Sequence, residues 1–260
     1  GFLVTILSIL GSVIFGAILG IIPGYLHAKR GSHIVITTIM FNFIAAALMV
    51  YLLVNVIIEP GQMSPETRDF ASGVGLVQIH ILAKYLGLEM AMSPLNLSFI
   101  VALTVSVGFW FLVWRTKFGY EVRSLGHSET AAIYAGIKVS STIIIVMAIS
   151  GGLAGLVAIN ELLGVHNKLL LGFTAGYGFT GIAVALMGRN HPFGIFLASL
   201  LFGALYQGGT ELDFEFSAIT REMVLLIQGL IILFSGALAY MLNPLVERIY
   251  IKYYGNYNNA

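Results

Sequence analysis

The sequence predicts an all-α fold, a polytopic transmembrane helical bundle with about seven membrane segments. Of its 260 residues, 58% are apolar and only 10% are charged, and the mean hydropathy is +0.93. Soluble domains carry roughly 25% charged residues, so much of this apolar surface must face lipid. Apolar stretches of about 20 residues recur along the chain, which is the length that crosses a bilayer as a helix.

The predicted segments follow one another with short connections, apart from one long one. They cover residues 2–26, 34–58, 95–114, 140–163, 172–187, 193–207 and 223–242. The fifth is short and broken by glycines, and the sixth is also short. Such segments are tolerated at membrane depth where they are buried in protein or line a cavity, so the fifth is a candidate for lining a path. The long connection, residues 59–94, is predicted to place an amphipathic helix over residues 76–86 on the outer surface.

The basic residues predict the orientation of the segments. One set of connections holds nine: Lys29, Arg30, Arg115, Lys117, Arg123, Lys138, Arg189, Arg248 and Lys252. The opposite set holds four: Arg68, Lys84, Lys168 and Arg221. Because cytoplasmic loops are enriched in Lys and Arg, the first set is expected inside.

The expected organisation is a permease domain over residues 1–242 and a cytoplasmic tail over residues 243–260. The chain starts at Gly1 without a charged leader, which suggests N-terminal truncation.

Several classes of chemistry lack their residues in this sequence. There is no cysteine, so disulfides and thiolate zinc sites are excluded. The net charge of +1 gives no indication of a nucleic-acid partner. The phosphate-binding loop, the paired-histidine zinc motif and the serine-nucleophile turn are all missing. We therefore expect no enzyme activity, no cofactor and no metal site in this chain.

A polar island over residues 123–138 separates the third and fourth segments. Ser128 is suited to cap a short helix, and Gly136 is suited to end it. A small face of alanines and the aromatic Tyr134 would let this helix press into a groove of another protein. The alternative is an ordinary solvated loop. The residues expected to make the contact are Arg123, Ser128, Glu129, Ala131, Ala132, Tyr134, Ala135 and Gly136.

Polar and aromatic residues in or near the segments are candidates for a substrate path. Glu161, preceded by Asn160, could accept hydrogen bonds from a polar solute, or it could sit in headgroup water. Asn42 could form a hydrogen bond to a neighbouring helix or to a substrate, and the same two alternatives apply to Gln207. The group Phe173, Thr174 and Tyr177 could line the path and stack on a flat ring, or could simply pack.

Small residues four apart also predict close helix packing. Three pairs have this spacing: Gly16 with Gly20, Gly151 with Gly155, and Gly172 with Gly176.

Longer stretches of the sequence resemble a known family. Residues 24–33 and 36–45 resemble the inner-membrane permeases of bacterial ABC importers for branched-chain amino acids, ribose-type sugars and nucleosides. Residues 172–189 resemble the nucleoside and simple-sugar subgroup, and residues 123–138 resemble the family's cytoplasmic coupling loop. The resemblance runs from about residue 20 to 242. Two departures stand out: the family's early spans are missing, and Glu129-Thr130-Ala131-Ala132 replaces a tighter Glu-Ala-Ala motif.

The resemblance implies the permease subunit of an ATP-driven importer for a nucleoside or related sugar-like solute, in the bacterial inner membrane. It also implies cytoplasmic ATP-binding subunits, a second permease chain and an external substrate-binding protein, besides membrane lipid. Alternatives are a permease for a simple sugar or a branched-chain amino acid, or an ion-coupled secondary transporter. Secondary transporters place ionisable residues at mid-membrane, and the first four segments have none there. A membrane scaffold without transport activity is a further alternative.

Overall fold

The structure is a computed structural model of the whole chain. It describes residues 1–59, 61, 63–71, 73–85, 87, 95–215, 223–231 and 233–234.

Nine α-helices are bounded within this described part. They are α1 Phe2–Arg30, α2 Ile34–Leu52, α3 Ile79–Tyr85, α4 Ser98–Arg115, α5 Lys117–His127, α6 Glu129–Tyr134, α7 Val139–Ala158, α8 Tyr177–Met187 and α9 Pro192–Glu215. Wider π-helical turns continue α2 over Leu53–Ile57 and α7 over Ile159–His166. Residues 223–231 are also helical.

Five of the described helices, counted with their π-helical continuations, are long and apolar enough to cross a membrane: α1, α2, α4, α7 and α9. This confirms the predicted polytopic helical bundle. The first four predicted segments match α1, α2, α4 and α7 to within a few residues at most boundaries. The predicted seventh segment is described only in part, and residues 235–260, including the expected tail, lie outside the described residues.

The fifth and sixth segments differ in length from their predictions. Helix α8 begins only at Tyr177, because Gly172, Ala175 and Gly176 have positive φ angles and form a turn ahead of it. Helix α9 continues eight residues past the predicted end at Gln207. Polar residues in this extra part bond within the helix, with Thr210 Oγ1 donating to the Gln207 carbonyl at 2.7 Å. The loss of hydropathy therefore marked the end of the apolar run and not the end of the helix.

Helices α1 and α7 make the closest helix pair in the structure. A Cβ added at Gly16 would strike the Gly151 carbonyl, and one at Gly155 would strike the Ser12 carbonyl. The predicted close packing of the Gly16–Gly20 and Gly151–Gly155 pairs is therefore confirmed. Within the described residues the Gly172–Gly176 pair is not a packing motif, since both glycines have positive φ and no described atom lies within 4 Å of a Cβ at either.

The chain divides into two compact units, residues 1–175 and residues 176–260. The first contains α1 to α7. Within the second, α8 packs on α9 through the buried side chains of Val184, Ala198 and Phe202. The turn between these two helices is tight, because Gly188 and Gly194 approach through their backbones.

The long connection between α2 and α4 carries the predicted outer helix in a shorter form. Helix α3 spans Ile79–Tyr85, whereas the pattern predicted a helix from residue 76. Leu76 lies outside α3, because its N–H donates to the carbonyl of Leu163 at 2.8 Å. Residue 86 lies outside the described residues.

Candidate functional site

Glu161 lies in the first turn of the α7 continuation, Ile159–His166, on the side of the fourth segment that is predicted to face outward. The residue is only 8% exposed. Its Oε1 accepts a hydrogen bond from Asn160 Nδ2 at 2.9 Å, and its Oε2 is 3.8 Å from His166 Nε2. The latter distance is too long for a direct hydrogen bond. The carboxylate is thus held inside the chain, with one oxygen satisfied and the other facing an imidazole.

Asn160 connects this acid to the start of α4. Its Oδ1 accepts from Ser98 Oγ at 2.6 Å and from Asn96 Nδ2 at 3.3 Å. An amide oxygen has two lone pairs, so both are used here. The Asn96 Oδ1 in turn accepts from the Ser98 N–H at 2.9 Å. Gly164 leaves the room for this network, because a side chain there would collide with the Asn96 amide.

Asn96 and Ser98 are members of the site that the sequence reasoning missed. Their signal was present, since an asparagine and a serine just before an apolar run are typical of a helix start. Asn96 is 4% exposed, and that burial depends on α7 lying beside it.

The other residues predicted to line a path belong to other elements of the chain. Asn42 is exposed on α2, and its side chain makes no hydrogen bond to the described part of the chain. Phe173 is half-buried and Thr174 exposed, both in the turn before α8. Tyr177 and Gln207 belong to the second unit, where Gln207 Nε2 donates to Glu211 Oε1 at 3.2 Å.

On the side predicted to be cytoplasmic, the polar island forms the short capped helix that the sequence predicted. Ser128 Oγ accepts from the Ala131 N–H at 3.3 Å, and Gly136 ends the turn with a φ of 77°. Helix α5, directly before it, was not predicted. Its signal was Thr116, whose hydroxyl caps the helix by accepting from the Gly119 N–H at 3.1 Å.

The exposed face of α6 is more apolar than the sequence suggested. Tyr134 is 94% exposed and Ile133 58% exposed, with Ala131 and Ala135 beside them in the open. Ala132 corrects the predicted alanine face, because it is 1% exposed and packs inside the chain.

The charged residues predicted to flank this contact are also placed at the surface. Arg123 and Glu129 are exposed, and the half-buried Ser128 lies between them in the chain. Arg123 Nε donates to the carbonyl of Gly119, one turn back in α5, at 3.4 Å. Both signs of charge therefore border the apolar face of α6.

An ion pair outside the membrane segments joins the long connection to the chain that follows α7. Lys168 Nζ is 3.0 Å from Glu66 Oε2. The hydrogen bond that the Lys168 ammonium donates to the Glu66 carboxylate raises the pKa of Lys168 above its ordinary value. The Lys168 ammonium therefore stays charged throughout the physiological pH range.

Comparison with known proteins identifies what such a bundle is used for elsewhere. Residues 2–236 match the family described as branched-chain amino acid transport system / permease component. The guanosine ABC transporter permease protein NupP of Bacillus subtilis is 34% identical over 93% of this chain and 68% of its own length. The nucleoside ABC transporter permease protein NupB of Lactococcus lactis is 31% identical over 88% of this chain and 62% of its own.

A sugar permease is similar to about the same degree. The glucose ABC transporter permease protein of Haloferax volcanii is 30% identical over 88% of this chain and 60% of its own length. The chain thus spans between 60% and 68% of the length of these three relatives. No solved structure shows a significant match to it. With a family match over nearly its whole length and five membrane-length helices, the chain belongs to the branched-chain amino acid transport system permease family of multi-span membrane proteins.

Proposed function

We propose that this chain is the permease subunit of an ATP-driven importer and forms the membrane path for a nucleoside. The observation that carries the proposal is the capped helix α6, which lies in the connection between the membrane-length helices α4 and α7. Its Tyr134 and Ile133 side chains are exposed at the protein surface. The similarity to guanosine and nucleoside permeases supports the choice of substrate.

The exposed face of α6 is suited to transmit force from a partner protein. Large aromatic side chains at the centre of an interface often carry much of the binding energy. The cap at Ser128 and the packing of Ala132 against the chain hold the helix in place, so a push on Tyr134 would be passed to α5 and α7. The sequence has no phosphate-binding loop of its own. Cytoplasmic ATP-binding subunits are therefore the partner proposed for this surface.

The complete importer is proposed to contain two further kinds of chain. A second permease chain, identical or related, would complete the membrane path. An external substrate-binding protein would deliver the solute to the outer side. Both follow from the family resemblance, and the cell membrane is the proposed location.

Two groups in the chain suit a nucleoside. The Glu161 carboxylate can accept hydrogen bonds from the hydroxyls of a ribose through Oε2, the oxygen that makes no hydrogen bond within the described residues. The aromatic ring of Phe173, or that of Tyr177, can stack on a base. In nucleic-acid binders such stacking is worth roughly 1–3 kcal/mol per base.

The test is uptake of a labelled nucleoside by cells that express this permease with its ATPase and receptor. We expect unlabelled nucleosides to compete, and pentoses and branched-chain amino acids to compete weakly. The variant Tyr177→Ala should lower nucleoside uptake while leaving assembly with the ATPase intact. If only amino acids compete, the nucleoside assignment is wrong. If uptake proceeds without the ATPase, the importer assignment is wrong.

A further inference from the structure

The outer ends of α4 and α7 are joined by two layers of contacts. The deeper layer consists of the hydrogen bonds from Ser98 and Asn96 to Asn160 Oδ1, at 2.6 and 3.3 Å. Asn96 is 4% exposed, so these bonds are shielded from solvent, and separating the two helices would leave buried polar groups without partners. Opening α4 from α7 at this depth is therefore unfavourable.

The second layer is made by the long connection, which is bonded to the chain that follows α7. The Thr67 N–H donates to the Leu169 carbonyl at 2.9 Å, and the Phe70 N–H donates to the Asn167 carbonyl at 2.8 Å. The Leu169 N–H donates back to Thr67 Oγ1 at 3.0 Å. Thr67 is 7% exposed, so these bonds are shielded. The Glu66–Lys168 ion pair lies beside them.

The same connection is also bonded to the start of α4. The Ile79 N–H donates to the Leu95 carbonyl at 2.8 Å, and the Leu97 N–H donates to the Val77 carbonyl at 3.1 Å. Between these two bonds, Gln78 lies opposite Asn96 in an antiparallel bridge. The stretch between Glu66 and Ile79 is therefore bonded both to the chain that follows α7 and to the beginning of α4.

We infer that residues 66–71, 73–79, 95–98 and 160–170 form one rigid unit, here called the outer clasp, and that the transport path does not open between α4 and α7 on the outer side. The inference rests on the proposed function, because it describes a part of the transporter that stays fixed while the solute passes. The long connection is then a fixed cap on these two helices and not a gate.

The absence of cysteine in the chain allows a direct test by cross-linking. Glu66 and Leu170 lie opposite each other in an antiparallel bridge. Val77 and Leu97 face each other across a backbone hydrogen bond. Directly opposed residues have Cα atoms about 4.5–5.5 Å apart, within the range that a disulfide spans. The variants are Glu66→Cys with Leu170→Cys, and Val77→Cys with Leu97→Cys, each compared with its two single-cysteine variants.

We expect both pairs to cross-link in native membranes under mild oxidation. The cross-linked importer should keep at least half of the uptake and of the solute-stimulated ATP hydrolysis of the same variant under reduction. A loss of uptake on oxidation that a reductant reverses would show that the clasp must open, and would overturn the inference. Failure of the pairs to cross-link would equally contradict it, since the residues would then not be held together.

The outcome can be separated from a failure of the proposed function. If the chain is not a nucleoside importer, the unmodified protein and all variants will lack nucleoside uptake in both redox states. If only the inference fails, uptake will be present under reduction and lost on oxidation in the double variants alone. A supporting variant is Asn160→Ala, which removes the deeper layer. It should increase proteolysis of residues 66–79, whereas Ser12→Ala, whose hydroxyl bonds only the Ile9 carbonyl of its own helix, should not.

Discussion

At the scale of single residues, the position on a short helix decides what each alanine and aromatic can do. Ala132 and Tyr134 are two residues apart, yet one is 1% exposed and the other 94%. Residues two apart on a helix point in widely different directions, since each turn takes 3.6 residues. The surface proposed to bind the ATP-binding subunits is consequently a pair of large side chains, Ile133 and Tyr134, flanked by Ala131 and Ala135.

Replacing Tyr134 tests this surface at its most exposed point. We expect Tyr134→Ala to weaken binding of the ATPase subunits by on the order of tenfold or more, as is typical of an interface hot spot. Uptake should fall in parallel, while the thermal stability of the permease should hardly change, because the ring contacts little of its own chain. Co-purification of the ATPase and uptake in reconstituted vesicles are the measurements.

The controls for this variant come from the same chain. Tyr134→Phe retains the ring and should behave like the unmodified protein. Phe214→Ala removes a ring of similar exposure, 95%, from the end of α9 that is predicted to face outward. Equal loss of ATPase binding in the Tyr134 and Phe214 variants would contradict a contact specific to α6.

At the scale of the elements, the α1–α7 pair shows that glycines can hold two membrane helices together where the burial of apolar side chains contributes little. Lipid tails are as apolar as leucine, so burial of side chains gives little driving force between helices there. Close backbone approach through Gly16, Gly20, Gly151 and Gly155 supplies van der Waals contact instead. Close backbone contact therefore holds α1 against α7 in the first unit.

Two substitutions on α1 separate packing from helix propensity. Gly16→Leu would drive a side chain into the Gly151 backbone, and overpacking of this kind typically costs about 1–3 kcal/mol, sometimes more. Gly11→Leu is the matched control, since nothing lies within 4 Å of a Cβ at Gly11. We expect a lower melting temperature in detergent for Gly16→Leu only. Similar melting temperatures for the two variants would show that the close crossing is not needed.

At the scale of the whole molecule, the orientation in the membrane is still a prediction from the distribution of Lys and Arg. It places Lys138 and Arg189 inside, and Glu66 and Asp213 outside. In this cysteine-free chain, the variants Lys138→Cys, Arg189→Cys, Glu66→Cys and Asp213→Cys each introduce a single thiol. An impermeant maleimide applied to intact cells should label only the last two. Labelling of Arg189→Cys but not of Asp213→Cys would reverse the assigned sides.

Much of the architecture was determined by the sequence alone. The bilayer sets the length of a spanning helix, so the apolar runs at residues 2–26, 34–58, 95–114 and 140–163 were enough to locate α1, α2, α4 and α7. The caps at Ser128 and Gly136 fixed α6 because they act through local hydrogen bonds. The end of α9 could not be predicted in this way, since a helix may continue in polar residues that bond within it.

Only the tertiary structure decided which polar residues form a site. Asn96 and Asn160 are 64 positions apart in the chain, and no local pattern links them. They meet because the long connection is bonded both to the start of α4 and to the chain that follows α7. The inward position of Ala132 depends in the same way on contacts between elements, since α6 packs on α5 and α7. Hydropathy predicts which residues enter the membrane, whereas hydrogen bonding between distant segments determines which of them meet.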